Sequence, residues 1–228
     1  MNFLSAEWNH LLLANYSVSP EVLKDLVPEK TSLDDFDGHT FVSLVAFMFN
    51  KTRVLGMPVP GHIDFEEVNL RFYIKPDHDP SIRAVCFIKE IVPKKAIPLI
   101  ANNLFNENYV ALPMDHRNEE TAHSYSWQTD RHNAFSVTLN GELAYPAPRS
   151  VGEFITEHYW GYAKGSNGTL EYKVEHPQWT CCEVSDYEIN VDFASTYGPQ
   201  YAFLNDMTPY NVQYARGSDV TVSNPKKI

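Results

Sequence analysis

Residues 39–49, HTFVSLVAFMF, do most to narrow what this chain can become. In extended form the run is apolar on both faces: Phe41, Val45 and Phe47 share one side, Val42, Leu44 and Met48 the other. Such a strand needs a covering layer on each side, which excludes a sheet with one face open to water. The following run, residues 63–74 (IDFEEVNLRFYI), is built differently. Val68, Leu70, Phe72 and Ile74 occupy one face, and Glu67, Asn69, Arg71 and Tyr73 occupy the other. In a doubly covered sheet, that row of acid, amide, guanidinium and phenol either lines a cavity and holds a small polar ligand, or is the wet side of an amphipathic strand.

Other strands are expected over 8–16, 121–129 and 134–145, the last turned by Asn140-Gly141, and near 180–189 and 209–222. HYWGYAK (158–164) and TLEYKVE (169–175) flank Gly165-Ser166-Asn167-Gly168 as a further hairpin. Ser19-Pro20 and Ser150 each open a short helix. Short strands at regular spacing with few βαβ units predict an α+β fold, mainly antiparallel β: a closed or cone-shaped β-barrel with short helices outside, in one domain over 1–228. The 13 Tyr, 13 Phe and 4 Trp supply its aromatic interior.

Between two of these strands, Ile97, Ile100, Ala101, Leu104 and Phe105 repeat at helical spacing. They predict a helix over 96–105 whose apolar face is buried against the sheet, with Pro98 in its first turn. Lys94 and Lys95 sit at its mouth, where the helix end already carries about half a positive charge. A neutral lysine forms imines with carbonyls. Bringing its pKa from about 10.4 to neutrality takes about 5 kcal/mol, of which a neighbouring ammonium supplies about 2–3. Burial must supply the rest, so the pair can react only in a dry cavity; otherwise it is two solvated lysines in a turn.

A net charge of −11 argues against nucleic-acid and anionic-membrane partners. Without a basic leader or a long apolar run, and with three cysteines that form no framework, the chain is expected to be cytoplasmic with reduced thiols. His116, His123 and His132 lie in a polar run and are expected in exposed loops, since no metal-ligand spacing accompanies them. His158 and His176, among aromatics, are expected to be packed. With no phosphate-loop, dinucleotide or nucleophile-elbow motif, no cofactor is expected.

The segments WNHLLLANY (8–16), FVSLVAF (41–47), FEEVNLRFYI (65–74), KEIVPKKAI (89–97), NENYVALPM (106–114), YWGY (159–162) and HPQW (176–179) resemble, in order, the YqjF-like family of the acetoacetate-decarboxylase-like superfamily. The resemblance implies a closed or cone-shaped antiparallel barrel. Acetoacetate decarboxylase forms its imine on the first lysine of a Pro-Lys-Lys turn, and Pro93, Lys94 and Lys95 match that turn. It implies Lys94 as nucleophile, Lys95 as the group lowering its pKa and Glu67 as the assisting acid, while Glu90 matches the acid of an Arg-Glu segment. Fold alone does not carry an activity. The expected function is therefore binding of a small polar molecule, such as a carboxylate, by Asn69, Arg71, Tyr73 and Glu90. The alternative is a Schiff-base lyase or decarboxylase acting on a keto acid through Lys94, Lys95 and Glu67. A third view makes the lysine turn an anion site. The expected partner is a small molecule, and a homo-oligomer stays open.

Overall fold

The computed structural model describes residues 2–165 and 168–228. Ser166 and Asn167, the centre of the expected second hairpin, lie outside the described residues. In chain order the strands are β1 (Asn2–Val18), β2 (Thr31–Leu33), β3 (Thr40–Val54), β4 (Met57–Pro58), β5 (Phe65–Pro76), β6 (Ala84–Val92), β7 (Tyr109–Ala111) and β8 (Met114–Asn118). There follow β9 (Ala122–Gln128), β10 (His132–Leu139), β11 (Trp160–Gly165), β12 (Gly168–Glu175), β13 (Cys181–Asn190), β14 (Asn211–Ser223) and β15 (Lys226–Lys227). Helices are few and short: α1 (Ala96–Leu104), α2 (Val151–Thr156) and α3 (Phe193–Tyr197), with 3-10 turns at Pro20–Val22 and Pro199–Asp206.

Seven strands close a hydrogen-bonded ring in the order β1, β3, β5, β6, β11, β12, β14 and back to β1. Its pairings are antiparallel except the short parallel joint of β6 with β11, where Trp160 meets Ala84 and Gly161 meets Val85. The joint of β12 with β14 is equally short. Strands β13, β10, β9 and β8 continue from β14 as a second antiparallel layer against the outside of the ring.

This arrangement accounts for the two unlike sequence patterns. On β3, Phe41, Val45, Phe47 and Phe49 pack inside the ring, where Phe154 and Ile155 of α2 join them. Val42, Leu44, Ala46 and Met48 face outward, into a core shared with Tyr125, Trp127, Phe135 and Val137 of the second layer and with Phe193 and Tyr197 of α3. Strand β5 keeps the same parity: Val68, Leu70, Phe72 and Ile74 enter the outer core, so Glu67, Asn69, Arg71 and Tyr73 are turned inward. Ser150 caps α2 as expected, its Oγ accepting from Glu153 N at 3.2 Å.

Several expectations are corrected. The apolar face of α1 is not buried: Ile100 and Leu104 are 44% and 48% exposed, Ile97 is only partly buried against the inner core, and of the stripe only the following Phe105 is fully buried, at 6%. The helix lies over a cavity, so its inner side meets open space instead of a core. Strand β10 ends at Leu139, and Asn140-Gly141 makes no hairpin; the chain instead runs back to a bridge between Ala144 and Cys181. His116 and His123 do not sit in exposed loops: the strand expected over 121–129 is β9, which carries His123, and β8, carrying His116, pairs with it. His123 is 2% exposed, stacked between His10 and Tyr214 at 4.8 and 4.7 Å. Its pKa is pushed down to about 4, first by burial and then by His10.

Candidate functional site

One cavity of about 170 Å³ occupies the ring beneath α1. Its floor comes from β5 and β6. Alternation along β5 presents Glu67, Asn69 and Arg71, and Glu90 of β6 stands directly opposite Asn69 in the pairing. A register shift in that pairing between Leu70 and Arg71 sets Phe87 opposite Arg71, so an aromatic wall begins beside the guanidinium. Glu107, Tyr109 of β7 and Tyr172 of β12 complete the polar side. The remaining wall is apolar and largely aromatic, with Trp8, Phe47, Phe49, Phe65, Phe87 and Phe105, and α1 adds Ile97, Ile100 and Ala101.

The polar side is partly self-satisfied. Asn69 Nδ2 donates to Glu67 Oε1 at 2.9 Å, and the Tyr109 hydroxyl donates to Glu67 Oε2 at 3.0 Å. The Tyr172 hydroxyl donates to Glu107 Oε1 at 2.6 Å. Arg71 Nη2 reaches only the Ile155 carbonyl, at 3.4 Å, and among the described residues no carboxylate lies within ion-pair distance of this guanidinium. Among the described residues, three atoms on the floor have no hydrogen-bond partner: Arg71 Nε, Asn69 Oδ1 and Glu90 Oε2. Their residues are 7%, 1% and 2% exposed.

Three glutamates around one arginine suggest a negative pocket, but a dry site disfavours charge. Burial pushes Glu67 up to about 7, against the pull of its bonds from Asn69 and Tyr109 and of the Arg71 charge. Burial, then Glu107 and Glu67, hold Glu90 well above the carboxylate range. Glu107 is pushed up to about 8 by burial, partly offset by the Tyr172 bond. A unit or more below pH 7, Glu67 and Glu107 hold their protons, and burial favours the neutral form of Glu90 in the same way, so the acids around the Arg71 cation carry little charge there.

The structure therefore brings Glu67, Asn69, Arg71 and Glu90 to one cavity. Tyr73 faces inward but is drawn away from the open space: its hydroxyl bonds Ser43 Oγ at 2.7 Å, and Ser43 bonds Asn15 Oδ1 at 2.5 Å. Lys94 is half-buried and Lys95 exposed, and no lysine is among the described residues that line the cavity. Glu107, Tyr109 and Tyr172 were missed in the sequence. The pairing of Gly161 with Tyr172 was a usable signal, since a glycine opposite an aromatic leaves room for its ring. Outside the cavity, Glu66, Asp115 and His116 bring ligand-type atoms within 4.8 Å of one another on the partly exposed surface.

A family model, DUF2071, described as "Uncharacterized conserved protein", matches residues 5–219. The uncharacterized protein YqjF of Bacillus subtilis (strain 168) is 27% identical over 190 residues, covering 81% of this chain and 77% of that protein. Among solved structures, acetoacetate decarboxylase from Legionella pneumophila matches with a TM-score of 0.69 at 10% identity, over 100% of this chain and 90% of that one. An acetoacetate decarboxylase-like enzyme from Sphingomonas wittichii RW1 matches at 0.66 and 11%, over 100% and 94%. The enduracididine biosynthesis enzyme MppR complexed with pyruvate matches at 0.68 and 10%, over 100% and 91%. At these identities the likeness is one of fold, and it agrees with the resemblance read from the sequence segments.

Proposed function

This chain belongs to the DUF2071 family, and from the polar floor of its cavity we propose that it binds a small carboxylate inside the ring of strands, without a covalent bond to it. The observation that carries this is the trio of unpartnered atoms on one surface, Arg71 Nε, Asn69 Oδ1 and Glu90 Oε2. Leaving a buried polar atom unpaired costs about 1–3 kcal/mol, so three in one cavity call for a common explanation. A carboxylate answers two of them. It accepts from the Arg71 guanidinium, and from Glu90 in the protonated form that burial favours. Asn69 Oδ1 is left to accept from a ligand hydroxyl or a water. Because burial favours the neutral form of all three acids, Arg71 sets the charge of the site at mildly acidic pH, and an anion restores neutrality. That MppR, of the same fold, is seen with pyruvate supports a carboxylate as the first class to test.

The imine alternative lacks comparable support, since the residues around the cavity include neither Lys94 nor Lys95. Borohydride reduction with pyruvate should leave both lysines unmodified.

A thermal-shift screen of monocarboxylates tests the binding reading. A ligand at a hundredfold excess over its Kd stabilises the fold by about 2.7 kcal/mol. Arg71→Met should keep the fold and lose the shift. Stabilisation that survives in Arg71→Met, or that follows amines in place of acids, would reject the proposal.

A further inference from the structure

We infer that the carboxylate bound here is a monocarboxylic acid with an apolar body about the size of one aromatic ring. This rests on the binding reading above and names its ligand class. The polar groups of the cavity are gathered on β5, β6 and their neighbours, while the rest of the lining is aromatic: Phe65 at the start of β5, Phe47 and Phe49 beside it on β3, Trp8 of β1 and Phe105 after α1. A two- or three-carbon acid would satisfy Arg71 and leave these rings facing water or empty space, with no atoms to contact. The volume of about 170 Å³ is close to the roughly 150 Å³ in which an apolar cavity holds benzene.

The charge inventory limits the head group. Arg71 is the one arginine among the described residues of the lining and no lysine joins it; the other basic side chain there, His62, sits in the loop after β4 with Nδ1 on the Pro60 carbonyl, so a second carboxylate beside Arg71 would meet only buried acids. The mouth limits the tail in the other direction. Val59 and Ile100 line the cavity yet remain 37% and 44% exposed, so an extended body continues onto apolar side chains instead of into water.

Titration of the purified protein with propionate, 3-phenylpropionate, 3-phenylpropanol and glutarate, followed by calorimetry and ligand-observed NMR, tests this. 3-Phenylpropionate should bind about tenfold or more tighter than propionate, because the added ring buries apolar area. The alcohol and the diacid should both be weaker than 3-phenylpropionate. Ile100→Ser, at a half-exposed position that leaves folding intact, should weaken 3-phenylpropionate severalfold and leave propionate unchanged. Equal affinity for propionate and 3-phenylpropionate, with both lost in Arg71→Met, would overturn the ring-sized body while the carboxylate reading stands. Binding of the alcohol as tightly as the acid, or of no acid at all, would overturn both.

Discussion

The Tyr172 ring lies against Gly161 of the neighbouring strand, where any Cβ would overlap it. That close approach aims the phenol into the cavity, and its hydroxyl meets Glu107 Oε1 at 2.6 Å. A glycine on β11 thus positions a hydrogen-bond donor on β12 that keeps a half-buried acid satisfied.

Gly161→Ala should push the ring aside. Overpacking of this kind costs about 1–3 kcal/mol. A urea midpoint shifted down by that amount, with weaker ligand binding, is the expected result; an unchanged midpoint would mean that the ring has another place to go.

The acids make stability fall above neutrality. Glu67 at about 7 and Glu107 at about 8 hold protons in the folded chain that the unfolded chain releases near 4.5. Their contribution is intact below pH 4.5 and is lost as pH rises through 7 to 8. His123, pushed down to about 4, acts in the opposite sense, and its contribution is lost as pH falls below 6.5. Between pH 6.5 and 8 the acids therefore govern, and the urea midpoint should drop across that window. Glu67→Gln, whose carbonyl keeps the bond from Asn69 while its amide N–H donates to the Tyr109 hydroxyl oxygen, should flatten the drop. A midpoint that climbs from pH 6.5 to 8 would contradict the burial of these acids.

Arg71 is a buried charge with one long bond to a carbonyl. Replacing an unpaired buried charge by an apolar chain of similar length relieves its desolvation. Arg71→Met should raise the stability of the ligand-free protein by about 1 kcal/mol while binding of carboxylates is lost. A lower melting temperature would show that the guanidinium has a structural role.

Helix α1 hangs on few contacts. Asn102 brackets Tyr109, with Nδ2 donating to its carbonyl at 3.0 Å and Oδ1 accepting from its N–H at 2.7 Å. Asn102→Ala should speed amide exchange across 96–104 and leave β1 and β3 protected, since opening is local there. Ile100→Asp, at 44% exposure, should cost less than about 1 kcal/mol. A large loss for that variant would mean α1 is packed as its sequence periodicity suggested.

Periodicity carried the strands well and the helix poorly, for one reason. On β3 and β5 the alternation of side chains is itself the record of which residues share a face, so 41–49 announced two covered faces and 65–74 a single polar row, whose inward direction came only with the ring. On α1 the same kind of apolar stripe is compatible with a packed core and with an apolar cavity, and local sequence does not distinguish them. His123 was misplaced because its burial depends on His10 and Tyr214, more than ninety residues away in either direction.

What the chain's order of residues determined by itself is the doubly covered strand, the polar face beside it and the family. Each is written in neighbours along the chain, where alternation and motif order are local properties. Which polar residues share a cavity was decided by tertiary structure alone. Closing the ring through β6–β11 and β12–β14 carries Tyr172 to Glu107, while Lys94 and Lys95, beside Glu90 in sequence, stay outside the lining. The acids' protonation was decided there too, because a carboxyl group's pKa answers to the water removed from around it, and that water is removed by strands far away in the chain.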